Sequence, residues 1–140
     1  MLGISIRPSR LSHRLIKETK DFVVNIPSVN ILKEADLCGV ISGKDTDKFQ
    51  ACSFTALASS KVKSPIIKEC PVNIECVLKN VIKLGTHDLF LGEVVALHAN
   101  DDVLKPDGSI DYEKTMPFVY TQGEYRELGR KVGLHGFSKK

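Results

Sequence analysis

The chain opens inside an apolar alternation. Met1-Leu-Gly-Ile-Ser-Ile-Arg-Pro8 puts Leu2, Ile4 and Ile6 on one face of an extended segment from the first residues onward. A strand needs a neighbour along each edge, or some protection of the bare one. The opening therefore predicts a β-domain whose front part is absent from this chain. No leader or signal segment precedes the strand in the sequence as it stands.

The 140-residue chain has the length of one domain, 1–140, with enough material for a real core. A hydrophobic share of 42% and a charged share of 26% are those of an ordinary water-exposed globular chain. No apolar run reaches the ~20 residues of a membrane span. The net charge of +3 is scattered and there is no Trp, so the basic-aromatic stripe of a nucleic-acid surface is missing. Cys38, Cys52, Cys70 and Cys76 lack the CxxC spacing of a zinc site. They read as reduced thiols of a cytoplasmic protein, with no metal.

Along the chain, strand 2–6 gives way at Arg7-Pro8 to a helix running to about residue 20. Ser9 or Ser12 can cap it, and Leu11, Leu15 and Ile16 share one face. A strand at 22–26 ends at Pro27, a short helix at 30–36 is closed by Gly39, and Asp45 can cap a helix at 46–51. Strands follow at 54–59 and 72–82, and a return strand at 89–98 completes a hairpin across the turn 84–88. Residues 101–111 are a polar excursion, 118–120 a last strand, and 125–130 a helical turn. Long antiparallel strands with short helices predict a mainly β fold, an antiparallel β-barrel with peripheral helices. The order lacks regular βαβ units, a GxGxxG turn and a P-loop.

Three segments could build a site. The junction Ser5-Ile-Arg-Pro-Ser-Arg-Leu-Ser12 leads into a helix N-terminus, which welcomes anions, and Arg7, Ser9, Arg10 and Ser12 add charge and donors there. The plain alternative is a serine cap beside solvated arginines. Cys38-Gly-Val-Ile-Ser-Gly-Lys-Asp-Thr-Asp-Lys-Phe49 is a glycine- and donor-rich loop carrying Lys44 and Lys48. On spacing alone a solvated loop with Asp45 capping a helix explains it better. Gly85-Thr-His-Asp88 places His87 at a hairpin corner, where it could donate or titrate, although its composition is that of any turn. His13, His98 and His135 read as structural or surface residues, and no nucleophilic triad or catalytic carboxylate pair can be argued.

Taken together, these segments resemble the flavin reductase-like family, in its flavoredoxin-type branch of FMN-binding split barrels. The matching motifs are Ser5-Ile-Arg-Pro-Ser-Arg-x-Ser12 with Leu15-Ile-Lys-Glu-Thr19, then Phe22-Val-Val-Asn-Ile-Pro27 and Cys38-Gly-x-x-Ser-Gly-x-Asp-x-Asp-Lys-Phe49. Cys70-Pro-Val-Asn-Ile-Glu-Cys76, Gly85-x-His-Asp-x-Phe-x-Gly-Glu-Val94 and Tyr120-x-x-Gly-Glu-Tyr125 follow in order. The resemblance implies a split barrel that forms a homodimer and holds FMN non-covalently, with NAD(P)H or a redox protein as electron partner. By position it implies Ser12, Lys48 and His87 in the cofactor site and Tyr120 as an aromatic near it. Arg7, Ser9 and Arg10 are added from the helix-terminus argument. Family members begin with further strands bearing an Asn-x-x-Thr and a Trp, so an N-terminally incomplete barrel is expected. Two other readings stay open: a dimeric barrel remnant that holds no flavin, and a pyridoxamine-phosphate-oxidase-like enzyme.

Overall fold

The computed structural model describes residues 1–139. The opening alternation is strand β1 (Leu2–Ile6), with Leu2, Ile4 and Ile6 packed against the core and Gly3 and Ser5 exposed. Helix α1 (Leu11–Thr19) and strand β2 (Asp21–Ile26) follow. After a 3₁₀ turn at Val29–Ile31 come α2 (Leu32–Val40), the single turn α3 (Lys48–Ala51), and the two-residue strands β3 (Ala56–Leu57) and β4 (Ile66–Ile67). The long hairpin is β5 (Val72–Lys83) and β6 (Asp88–Ala99). The single turn α4 (Tyr112–Thr115) precedes a small hairpin of β7 (Phe118–Thr121) and β8 (Glu124–Glu127).

The main sheet runs β1-β6-β5-β2, antiparallel throughout. Its central pair is irregular twice, between Glu75 and Cys76 and between Leu78 and Asn80. An extra residue on one strand sharpens the local twist. The sheet accordingly curls into a half-barrel, with few helices at its margins. This is the mainly β architecture that the alternating strands predict.

Ile16, Phe22, Cys76 and Phe90 form the buried centre, and the inward face of β1 packs against it with Val24, Ile74, Leu78 and Val81. Gly92 is required there. A methyl group at its position would stand 2.6 Å from Cζ of Phe22 and 2.9 Å from Cβ of Cys76. The ring of Phe22 occupies the space a side chain would take.

Several local expectations are corrected. The N-cap of α1 is Arg10, in extended conformation and without a side-chain cap bond, so neither Ser9 nor Ser12 caps it. Its buried residues are His13 and Ile16, while Leu15 is 42% exposed. Leu11 and Leu15 turn instead toward a cleft. Gly39 lies within α2, which continues to Val40. Asp47, not Asp45, caps α3, its carboxylate accepting from the N–H groups of Phe49 and Gln50. The stretch 54–59 yields only the short β3. The expected helical turn at 125–130 is the strand β8, because Gln122 and Gly123 both adopt positive φ and form a tight hairpin turn.

Candidate functional site

At the end of β1 the chain turns through residues 7–10, where the Arg10 N–H donates to the Arg7 carbonyl at 3.0 Å. Helix α1 then starts with no side chain on its first amides. Such an end presents free N–H donors and the positive end of the helix dipole. It faces the loop 41–47 and α3 across a cleft of about 750 Å³, lined by Ser9, Arg10, Ser12, Leu15, Gly43 and Lys48 among others.

Lys48 is held into this cleft. Its Nζ donates to the carbonyl of Cys38 at 2.5 Å, and the Asp47 cap fixes the turn that carries it. Gly43 lets the loop come close: a Cβ there would stand 3.2 Å from Cδ2 of Leu11 and 3.6 Å from Cε of Lys48. An ammonium has three donors, so one bond to a carbonyl leaves Lys48 two. Arg10, Lys44 and Lys48 give the lining a positive character that Asp45 and Asp47 partly balance. The carboxylate of Asp47 is already engaged by two backbone N–H groups.

Arg7 and His87 meet at a second place. Arg7 Nε donates to Nε2 of His87 at 3.3 Å, and Nδ1 of His87 lies 3.1 Å from the Thr86 hydroxyl. With Nε2 accepting, the proton of a neutral ring sits on Nδ1 and points to Thr86. Beneath this corner, Nε2 of His13 is 2.8 Å from Oδ2 of Asp88, with both side chains buried. The His13 ring also meets Phe90 edge-on at 5.0 Å. Ser12 is the chain neighbour of His13 and His87 that of Asp88, so this pair ties α1 to the β5–β6 turn.

The structure thus brings Ser9, Arg10, Ser12 and Lys48 into one cleft and joins Arg7 to His87 beside it. Tyr120 lies elsewhere. It stands on β7, 66% exposed, with its ring 5.2 Å from that of Tyr125, whose hydroxyl donates to Asp36 of α2 at 2.7 Å. Sequence reasoning misses the His13–Asp88 pair because its members are 75 positions apart. The one available signal is that each flanks a candidate.

A second buried acid is also missed. Glu75 is fully buried and accepts from the Ser60 and Lys61 N–H groups, each at 2.7 Å, from the Ser60 hydroxyl, and from Nε2 of His98 at 2.5 Å. Burial alone would raise its pKa, yet these hydrogen bonds prevail and lower it to about 2. Asp21 takes the N–H groups of Lys63 and Ser64 and the Ser64 hydroxyl in the same way. Among the described residues no group of three or more His, Cys, Asp or Glu side chains could hold a metal ion, and no helix is long and apolar enough to cross a membrane.

Known proteins share this architecture. The family model described as "Flavin reductase like domain" matches residues 1–129. The flavoredoxin of Desulfovibrio vulgaris (Miyazaki F) superposes with a TM-score of 0.91 at 28% identity, over 99% of this chain and 76% of that one. An uncharacterized protein of Archaeoglobus fulgidus is 38% identical over 116 residues, 83% of this chain and 66% of its own. A protein of Pantoea ananatis called FMN reductase (NADH) RutF is 36% identical over 78 residues, 53% of this chain and 40% of its own. The chain spans between about half and two thirds of the length of the first curated relatives it matches. With the flavoredoxin superposition, the half-barrel is the split barrel that the motifs imply.

Proposed function

This chain belongs to the flavin reductase-like domain family, and from that premise we propose that it is an FMN-binding oxidoreductase or electron-transfer protein of the flavoredoxin type. The observation that carries the reading is the cleft between α1 and loop 41–47. There an uncapped helix end, Arg10, Ser12 and Lys48 converge on one space of about 750 Å³. A phosphate fits the free N–H donors and dipole of that helix end. Arg10 and the hydroxyls of Ser9 and Ser12 supply further charge and donors, and the two spare donors of Lys48 reach the ligand's polar edge. Arg7 and His87 hold the adjoining corner, where His87 keeps a fixed tautomer through Arg7 and Thr86.

FMN, when bound, would supply the redox chemistry, and the protein would contribute binding, orientation and positive charge. The electron partner is NAD(P)H or a redox protein. Tyr120, which does not line the cleft within one chain, would contribute across an interface. We infer a homodimer on the same ground. Leu97 of β6 is 54% exposed, and with Val94 and Val119 it leaves apolar surface that a second copy would cover.

Titrating FMN into the protein while following flavin fluorescence tests the reading. Saturable quenching by the wild type, weakened roughly ten- to a hundredfold in Lys48→Ala, is the expected result, since a charge-assisted hydrogen bond contributes about 1.5–3 kcal/mol. Absence of quenching by the wild type overturns flavin binding by this chain, and equal affinities remove Lys48 from the site.

A further inference from the structure

Cys38 and Cys52 face each other where α2 meets α3, the turn that carries Lys48. Their sulfurs are 3.5 Å apart, although Cys38 sits on α2 and Cys52 caps the C-terminus of α3. Cys52 is buried and its Sγ also points to the Glu34 carbonyl, whereas Cys38 is only half-buried and in reach of solvent. Both are free thiols. A disulfide needs the sulfurs at about 2.05 Å, so an approach of about 1.5 Å along an existing contact makes the bond. Neither thiol is absorbed by the flavin reading, and the family motif accounts for only one of them, at Cys38.

We propose that Cys38 and Cys52 are an oxidation site, converted by hydrogen peroxide into an intramolecular disulfide that staples α2 to α3. Cys38 is the thiol that reacts first. As its thiolate it attacks one peroxide oxygen, the O–O bond breaks, and the departing hydroxide leaves as water with the proton Cys38 gave up. The product is a sulfenic acid on Cys38. The Cys52 sulfur then attacks the Cys38 sulfur, the S–O bond breaks, and the second hydroxide leaves as water with the Cys52 proton. Two thiols and one peroxide become one disulfide and two waters, and the two electrons pass from the sulfurs to peroxide. The step is slow, because burial and the Cys52 contact push the Cys38 thiol up to about 11, with the Lys48 ammonium pulling only partly the other way.

The staple has a local consequence. It encloses residues 39–51, which hold the whole cleft loop and the turn bearing Lys48. The carbonyl that anchors Lys48 belongs to Cys38 itself. Closing the sulfurs therefore moves the anchor and the turn together.

The experiment is peroxide treatment of the full chain, followed by thiol titration and non-reducing peptide mapping. The wild type is expected to fall from four titratable thiols to two. It should lose the mass of two hydrogens, show a Cys38–Cys52 linked peptide, and recover fully with a dithiol reductant. Cys70→Ser should still lose two thiols, whereas Cys52→Ser should stop at an oxidised Cys38 with no internal link. Mapping on the wild type keeps the test valid even where a variant folds poorly. A link to Cys70 or Cys76, a link only between chains, or thiols that survive excess peroxide each overturn the proposal. None of these readouts uses flavin, so they stand apart from the FMN reading.

Discussion

The sheet side of the molecule and the cleft side use charged residues to opposite ends. On the sheet, Asp21, Glu75 and Asp88 are buried, and each has its carboxylate occupied by named partners: loop amides and hydroxyls, His98, or His13. Across the cleft, Lys48 makes one bond of a possible three, and Arg10 leaves the helix end uncapped. A buried polar group must be satisfied within the fold or it costs free energy, whereas a group at an open cleft can keep its donors for a ligand. The difference separates what holds the molecule together from what is left to bind.

That separation can be broken experimentally, starting where the effect is largest. Glu75→Ala leaves two loop N–H groups and His98 without their acceptor, and a loss of about 3–5 kcal/mol in urea unfolding is expected. Its acid behaviour follows from the lowered pKa. The folded state favours the ionised form, so stability is fully present above the ordinary carboxylate value of 4.5 and drains away as pH falls toward about 2. The wild type should lose its advantage over Glu75→Gln across that window, and a flat difference would show that Glu75 is not held ionised.

His13→Ala strands the Asp88 carboxylate and should cost about 2–3 kcal/mol. Because the pair ties α1 to the β5–β6 turn, FMN affinity should fall as well, without any contact to the ligand. Unchanged affinity in a folded variant would confine the pair to the sheet's side of the comparison. Gly92→Ala drives a methyl group into Phe22 and should lower stability by about 1–3 kcal/mol, read as a drop in Tm. Lys48→Ala removes the hydrogen bond to the Cys38 carbonyl and comes last on this scale, at about 0.5–1.5 kcal/mol of stability, although it carries the largest change in flavin affinity. A large loss of stability there would make Lys48 a structural residue.

How much the sequence reveals follows the same division. Strand β1 and the β5–β6 hairpin are legible because alternation over five and twelve residues is a local signal. The cleft is partly legible, since Arg10, Ser12 and Lys48 sit in segments whose composition suits an anion. The cap of α3 is displaced by two residues because Asp45 and Asp47 are equally good candidates and only the fold chooses between them. β8 is hidden because Gln122-Gly123 is a weaker hairpin signal than Asn-Gly. The pairs His13–Asp88 and Glu75–His98 join residues 75 and 23 positions apart and leave no periodic trace. Only the family motif points to Tyr120, and within one chain it does not line the cleft.

The segment 60–64 shows what such anchoring permits. Asp21 and Glu75 grip it mainly by its main chain, through the N–H groups of Ser60, Lys61, Lys63 and Ser64, with the Ser60 and Ser64 hydroxyls added at its two ends. Every residue type except proline carries that group, so between the two serines the grip is indifferent to what the segment spells. The exposed Lys61 and Lys63 are free to drift, and the course of the chain does not depend on them. Two acids on the sheet thus give this surface a fixed path and an open alphabet, a place where new recognition could be written without rewriting the fold.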